Sequence, residues 1–289
     1  MSGKPTTAPW ADEPYKLIAT PYPEKMDEHS AYKTANTMAW AHNYILRGMN
    51  TILQQGPYIP DSTQSNYNEK DVKDLLFYTA AWCHSLEHHH SVEEELIFPD
   101  LEKVAGKPGI AQYLEDQHHS FTPQCAELQK LVKTTAPADY RWSTIHDAIH
   151  AFAPQLVEHL NEEIRWLASL HIYDNASIAK VLQDAEDSAK RNSEFSLFYD
   201  VFPYCLGTCD TTFEGGIPFP GFPVAITYFV KYWTAAGRNS GPWRFNPCDF
   251  WGKPVPLHFV PQGSASVKQP IVSHEVDSSQ KPIAPAAMI

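Results

Sequence analysis

Residues 88–99 read HHHSVEEELIFP, and they have an echo at residues 159–163, HLNEE. Each stretch holds a histidine followed four residues later by a glutamate, His89 with Glu93 and His159 with Glu163. On a helix that spacing stacks two side chains about one turn apart on one face, so each pair can reach a common point. Two such pairs facing each other across a bundle would make a metal site.

Working outward, the apolar periodicity supplies four helices. The first has an inward stripe of Met38, His42, Ile45, Met49 and Ile52, and the Gly- and Pro-containing run at 56–71 ends it. The second carries Leu75, Tyr78, Trp82, Leu86, His89, Glu93 and Leu96, with Asn68 or Asp71 as its cap. The third presents Leu114, His118, Phe121, Cys125, Leu128 and Val132. A fourth is expected to run without a break through Ile149, Phe152, Leu156, His159, Glu163, Leu167 and Leu170. Four amphipathic helices with short connections predict an all-α protein, an antiparallel four-helix bundle.

Each stripe contains a histidine. A single histidine on an apolar face is usually a core residue bonded to a carbonyl, but four of them with two glutamates are different. Two buried carboxylates without a cation would carry a large desolvation penalty. The candidate metal ligands are therefore His42, His89, Glu93, His118, His159 and Glu163. Imidazole with carboxylate suits iron, manganese or zinc rather than calcium or magnesium. If both glutamates bridge, the six residues fill about eight of the twelve or so positions of two octahedral metals, and a bridging hydroxide or oxo group about two more. Roughly one open position per metal then remains, where dioxygen binds.

These residues carry a family resemblance. HHHSVEEELIFP resembles the second-helix signature of hemerythrin-like (HHE cation-binding) domains, and AHNYIL at His42, EDQHHSF at His118 and HLNEEI at His159 resemble the other three helices. The likeness spans roughly residues 25–175. It implies a non-heme centre of two iron ions, in a family whose members carry oxygen, sense iron or oxygen, or perform oxidative chemistry. TFEGG and WRFNPCDFWG resemble the longer fungal members. Two departures stand out. Oxygen carriers of the family have a further histidine where this chain has Thr122, and an aspartate five residues after the fourth-helix histidine, where this chain has Glu163 at four. His90 is the candidate for an extra ligand, with a surface or supporting place as the alternative. Glu94, Glu95 and Glu162 are expected outside the ligand set, exposed or orienting the imidazoles. His84, His88, His146 and His150 are expected on solvated faces, and His119 is rotated off the His118 stripe.

Fewer ligands make a more open metal pair, which favours activating dioxygen over storing it. The expected activity is that of a di-iron oxidase or oxygenase acting on a hydrophobic small molecule, with Met38, Trp82, Phe121 and Cys125 as candidate pocket walls. The alternatives are a non-enzymatic oxygen- or iron-binding protein and a bundle with a structural or zinc-filled site.

The remaining chain divides into residues 1–23, a loose Pro- and Thr-rich arm; 24–175, the bundle; 176–194, a polar outer helix; 195–259, an aromatic Pro- and Gly-rich cap; and 260–289, a disordered tail. Only residues 222–233 in the cap read as a helix. The formal charge of −12, without a basic patch, argues against nucleic acid or an anionic membrane as partner. The absence of a signal-like or spanning apolar run leads to an expected place in the cytoplasm. Five scattered cysteines fit reduced thiols, with Cys205 and Cys209 close enough in sequence to pair.

Overall fold

The computed structural model describes residues 10–192 and 195–264. Its long helices are α1 (Ser30–Gln55), α2 (Glu69–Val92), α4 (Gln112–Thr134) and α6 (Ala153–Ser169), with α3 (Phe98–Ala105) and α5 (Trp142–His150) between them. α1 packs on α2 and α6, and α4 packs on α2 and α6, so the four close into a bundle. Asn68 caps α2 by accepting from the Lys70 N–H at 3.0 Å. Gly106 ends α3 at φ +62, a left-handed position that costs glycine little.

The expected fourth helix is two helices, α5 and α6. Phe152 at their junction leaves helical geometry (φ −130, ψ −13). Pro154 explains the break: in a continuous helix it would have no N–H to give the carbonyl of His150, and its ring would collide with that carbonyl.

A second irregularity joins α2 to α3. Residues Glu93–Ile97 form a π-helical turn, in which the Phe98 N–H reaches the carbonyl of Glu93 five residues back. The turn lies just ahead of Pro99, which cannot continue a regular ladder.

The core is split. One apolar cluster contains Ile45, Met49, Leu75, Trp82, Phe121, Leu128 and Leu156, and another contains Met38, Ile97, Phe98, Leu114, Ile164 and Trp166. Along every long helix the histidines and glutamates of the sequence motif fall between the two clusters.

Residues 10–22 are not the loose arm the sequence suggests. They lie along α1, clamped by three asparagines spaced seven residues apart. Asn36 accepts from Tyr22 N and donates to Tyr22 O, at 2.8 and 2.7 Å. Asn43 does the same for Ile18 at 2.8 Å each, and Asn50 for Tyr15 at 2.9 and 2.7 Å, with a further bond to Ala11 O. The lengths match, because fourteen helical residues rise about 21 Å and seven extended residues span about 23 Å. Residues 1–9 lie outside the described residues.

After the bundle, α7 (Asn175–Asn192) packs Ile178, Val181 and Ala185 against α1 and α3. The aromatic segment contains α8 (Val201–Thr208) and α9 (Val224–Phe229), the latter continuing as a π turn through Val230–Thr234. It sits on α1 and α2. Tyr204 donates to the carbonyl of Tyr44 at 3.0 Å, and a Cβ on Gly48 would collide with the Tyr204 hydroxyl, so glycine is required there. Gln55 binds Phe245 O and Phe259 N, and Arg244 bridges Asp71 and Asp74. Cys205 and Cys209 are free thiols with sulfurs 3.9 Å apart. The expected disordered tail falls, from residue 265 onward, outside the described residues. No helix among the described residues is long and apolar enough to cross a membrane.

Candidate metal centre

The layer between the two apolar clusters brings together all six sequence-derived ligand candidates and His90. They form two groups that share a residue: His42, His89, Glu93 and Glu163, and His90, Glu93, His118 and His159. His42, His118, His159 and Glu163 are wholly enclosed, while Glu93 is 1 % and His90 6 % exposed.

Both glutamates span the groups. Glu93 Oε1 is 3.0 Å from His89 Nε2, and its Oε2 is 3.7 Å from His118 Nε2. Glu163 Oε2 is 3.1 Å from His42 Nε2 and 3.7 Å from His159 Nε2. Two donor atoms about 2.1 Å from one metal and at right angles to each other are about 3 Å apart. The observed separations, 3.0–3.7 Å, are close to that spacing.

Outer contacts set the tautomers. His42 Nδ1 donates to the carbonyl of Leu160 at 2.7 Å, His118 Nδ1 to Glu94 Oε1 at 2.6 Å, and His159 Nδ1 to Gln117 Oε1 at 3.2 Å. With Nδ1 protonated in the neutral ring, Nε2 carries a lone pair, and in all three it points into the layer. Nε2 of His42, His89 and His90 and both carboxylate oxygens of Glu93 and Glu163 have no hydrogen-bond partner. The 3.1 Å approach of His42 to Glu163 has the length of a hydrogen bond without its alignment, and it sets two acceptors face to face. Buried polar atoms in such numbers are not left unsatisfied in a stable fold. Cations held in the two groups would satisfy them.

The electrostatics agree. Burial pushes the His89 imidazole down to about 4 and that of His159 to about 2. It also lowers His118, and it lowers His90 strongly with the help of His118 beside it. Neutral imidazole is the form that binds metal. Burial and then the neighbouring Glu163 raise Glu93 well above the carboxylate range.

Glu93 and Glu94, about 100° apart around the helix, meet opposite nitrogens of His118, with Glu93 Oε2 3.7 Å from Nε2 and Glu94 Oε1 2.6 Å from Nδ1. His90 stacks on His118 with centroids 4.0 Å apart and packs against Phe121. Gln117, held in turn by Glu162 at 2.6 Å, escaped the sequence reading, since nothing but its place beside His118 marks it.

Some expectations need correcting. His84 and His150 are not simply solvated: His84 Nδ1 lies 2.8 Å from Asp200 Oδ2, and His150 Nδ1 is 2.9 Å from the Tyr15 hydroxyl. His119 is exposed and outside the layer. Of the four candidate pocket walls, Phe121 and Cys125 line an opening of about 50 Å³ between α2 and α4 that ends at His90. Trp82 instead fills the core, stacked on Phe152 and donating to Ile45 O, and Met38 belongs to the other apolar cluster.

Compared with known families, residues 35–170 match the hemerythrin HHE cation binding domain, a span that contains all seven of these residues. The chain is 36 % identical over 256 residues, 87 % of this chain and 94 % of the relative, to the "dimeric xanthone biosynthesis cluster protein R11" of Cryptosporiopsis sp. (strain 8999). No solved structure matches it.

Proposed function

Because the chain belongs to the hemerythrin HHE cation-binding family, we propose that its bundle holds two iron ions and serves the oxidation of a hydrophobic small molecule by dioxygen. The observation that carries this reading is the pair of ligand groups joined at Glu93, with Glu163 likewise between histidines of both. Two groups argue for two metals, and imidazole with carboxylate suits iron while leaving manganese and zinc as competitors. When bound, the iron pair supplies the redox electrons and open positions that dioxygen chemistry requires.

The chain's own work is to hold the site ready. Leu160, Glu94 and Gln117 fix three imidazoles in the metal-binding tautomer, and the apolar clusters on both sides keep bulk water out. The relative's place in a cluster named for a dimeric xanthone supports an aromatic substrate.

The opening at His90 favours a second reading. At about 50 Å³ it admits a diatomic gas and not an organic molecule, which suits a non-enzymatic oxygen-binding protein. Cycling the reduced, iron-loaded protein between argon and air while recording its optical spectrum separates the two. A band that forms once and returns only with added reductant is the expected result. A band that appears and vanishes reversibly overturns the oxidase reading in favour of oxygen binding.

A further inference from the structure

An oxidase needs a place for its substrate, and the space beside the ligand layer is too small for one. A larger cleft, of about 390 Å³, lies within the aromatic C-terminal segment. That volume is in the range of small-molecule sites. Its walls include Ile217, Phe219 and Phe222 from the Pro- and Gly-rich stretch, Phe250 and Trp251 from the turn at residues 249–252, and Cys209.

Three features of the cleft select a ligand. Its walls are mainly aromatic rings, proline and glycine, which favour a flat molecule that stacks. Rings also stand in solvent beside it: Trp251 is 37 % exposed and Tyr228 51 %, meeting edge to face at 6.0 Å, next to Thr227 of the cleft wall. Exposed aromatic surface of this kind marks a binding site more often than a bare exterior. Finally, Lys231 Nζ lies 3.9 Å from the centre of the Trp251 ring, placing a positive charge at the wall.

We infer that this cleft binds a planar phenol of two or three fused rings, its rings against Trp251 and Phe222 and its acidic hydroxyl toward Lys231. The inference rests on the oxidase reading only in making this molecule the substrate. Phe219 of the cleft wall lies nearly parallel to Tyr44 of α1, at 6.2 Å and 16°, and Tyr44 follows the ligand candidate His42 by two residues on that helix.

The test is calorimetric titration of the full chain with 9-phenanthrol, phenanthrene and the saturated alcohol 2-decalol, with metal content measured on the same samples. Phenanthrol is expected to bind and decalol not to. Trp251→Ala, and Ile217→Trp, which fills the cleft, are expected to weaken phenanthrol at least tenfold with an unchanged circular dichroism spectrum. Lys231→Met is expected to weaken phenanthrol but not phenanthrene. Equal binding of decalol, or unchanged phenanthrol affinity in both Trp251→Ala and Ile217→Trp, overturns the inference. Metal without phenanthrol binding refutes the cleft and leaves the iron reading standing; phenanthrol binding without metal does the reverse.

Discussion

His118 and His159 face each other across the bundle with their Nε2 atoms 2.8 Å apart, while the Nδ1 of each is committed to an outer acceptor, Glu94 and Gln117 respectively. Two lone pairs at that distance repel unless a proton or a metal ion lies between or beside them. Glu93 Oε2, 3.7 Å from His118 Nε2, makes a metal the better answer.

The shared position of Glu93 sets the first prediction. Glu93→Ala removes a donor from both groups and is expected to lower metal content in both, whereas His42→Ala removes a donor from one and is expected to lower it by about half. Elemental analysis of the purified variants checks this. Equal, full occupancy in both would remove Glu93 from the ligand set.

Glu94→Gln tests the support behind His118. Losing the carboxylate that fixes the imidazole is expected to weaken metal binding by about 10–100-fold without changing the fold. Competition with a chelator of known affinity measures it, and unchanged affinity would mean that the 2.6 Å contact does not tune the site.

Metal removal is a further test. Without a cation the two enclosed glutamates lack partners, so the stripped protein is expected to melt at a lower temperature and to recover when iron is restored. Melting that ignores both treatments would make the layer a metal-independent polar core.

A pH effect is expected at the contact between bundle and aromatic segment. The hydrogen bond to Asp200 raises His84 above its ordinary value, against burial. A raised folded value means that the stabilisation is complete below about pH 6.5, the unfolded value, and fades as pH rises through the folded one. Asp200→Asn keeps an oxygen for the Val201 N–H but removes the charge. Its stability deficit relative to the parent, below about 1 kcal/mol for a partly exposed pair, is expected to be larger at about pH 6 than at about pH 9. Urea unfolding at the two pH values reads it, and an equal deficit refutes the assignment.

The asparagine clamp gives a stability prediction. Asn50→Ala removes three buried hydrogen bonds to Tyr15 and Ala11 and is expected to cost roughly 3 kcal/mol. A loss within about 0.5 kcal/mol in the unfolding midpoint analysis would mean that the strap contributes little to stability.

The inward stripes that carry the ligand candidates were legible because the 3.6-residue period places His42, His89, Glu93, His118, His159 and Glu163 on them by local rules alone. His90 was not decidable in that way, since it sits about 100° from His89 and only its packing on Phe121 and His118 turns it inward. The clamp was half visible: Asn36, Asn43 and Asn50 repeat every seven residues, but what they bind lies some 14–39 residues away. Pro154 announced the break before α6, and the strong stripe through Ile149 and Leu156 masked it. The cleft had no sequence signature, because its walls come from irregular chain brought together only by tertiary packing.

Iron per chain, measured on protein made with ample iron and compared with His89→Ala, tests the central claim most directly. About two irons in the parent and a clear loss in the variant are predicted. No iron in the parent, or a full complement in the variant, would contradict a di-iron centre built on these residues.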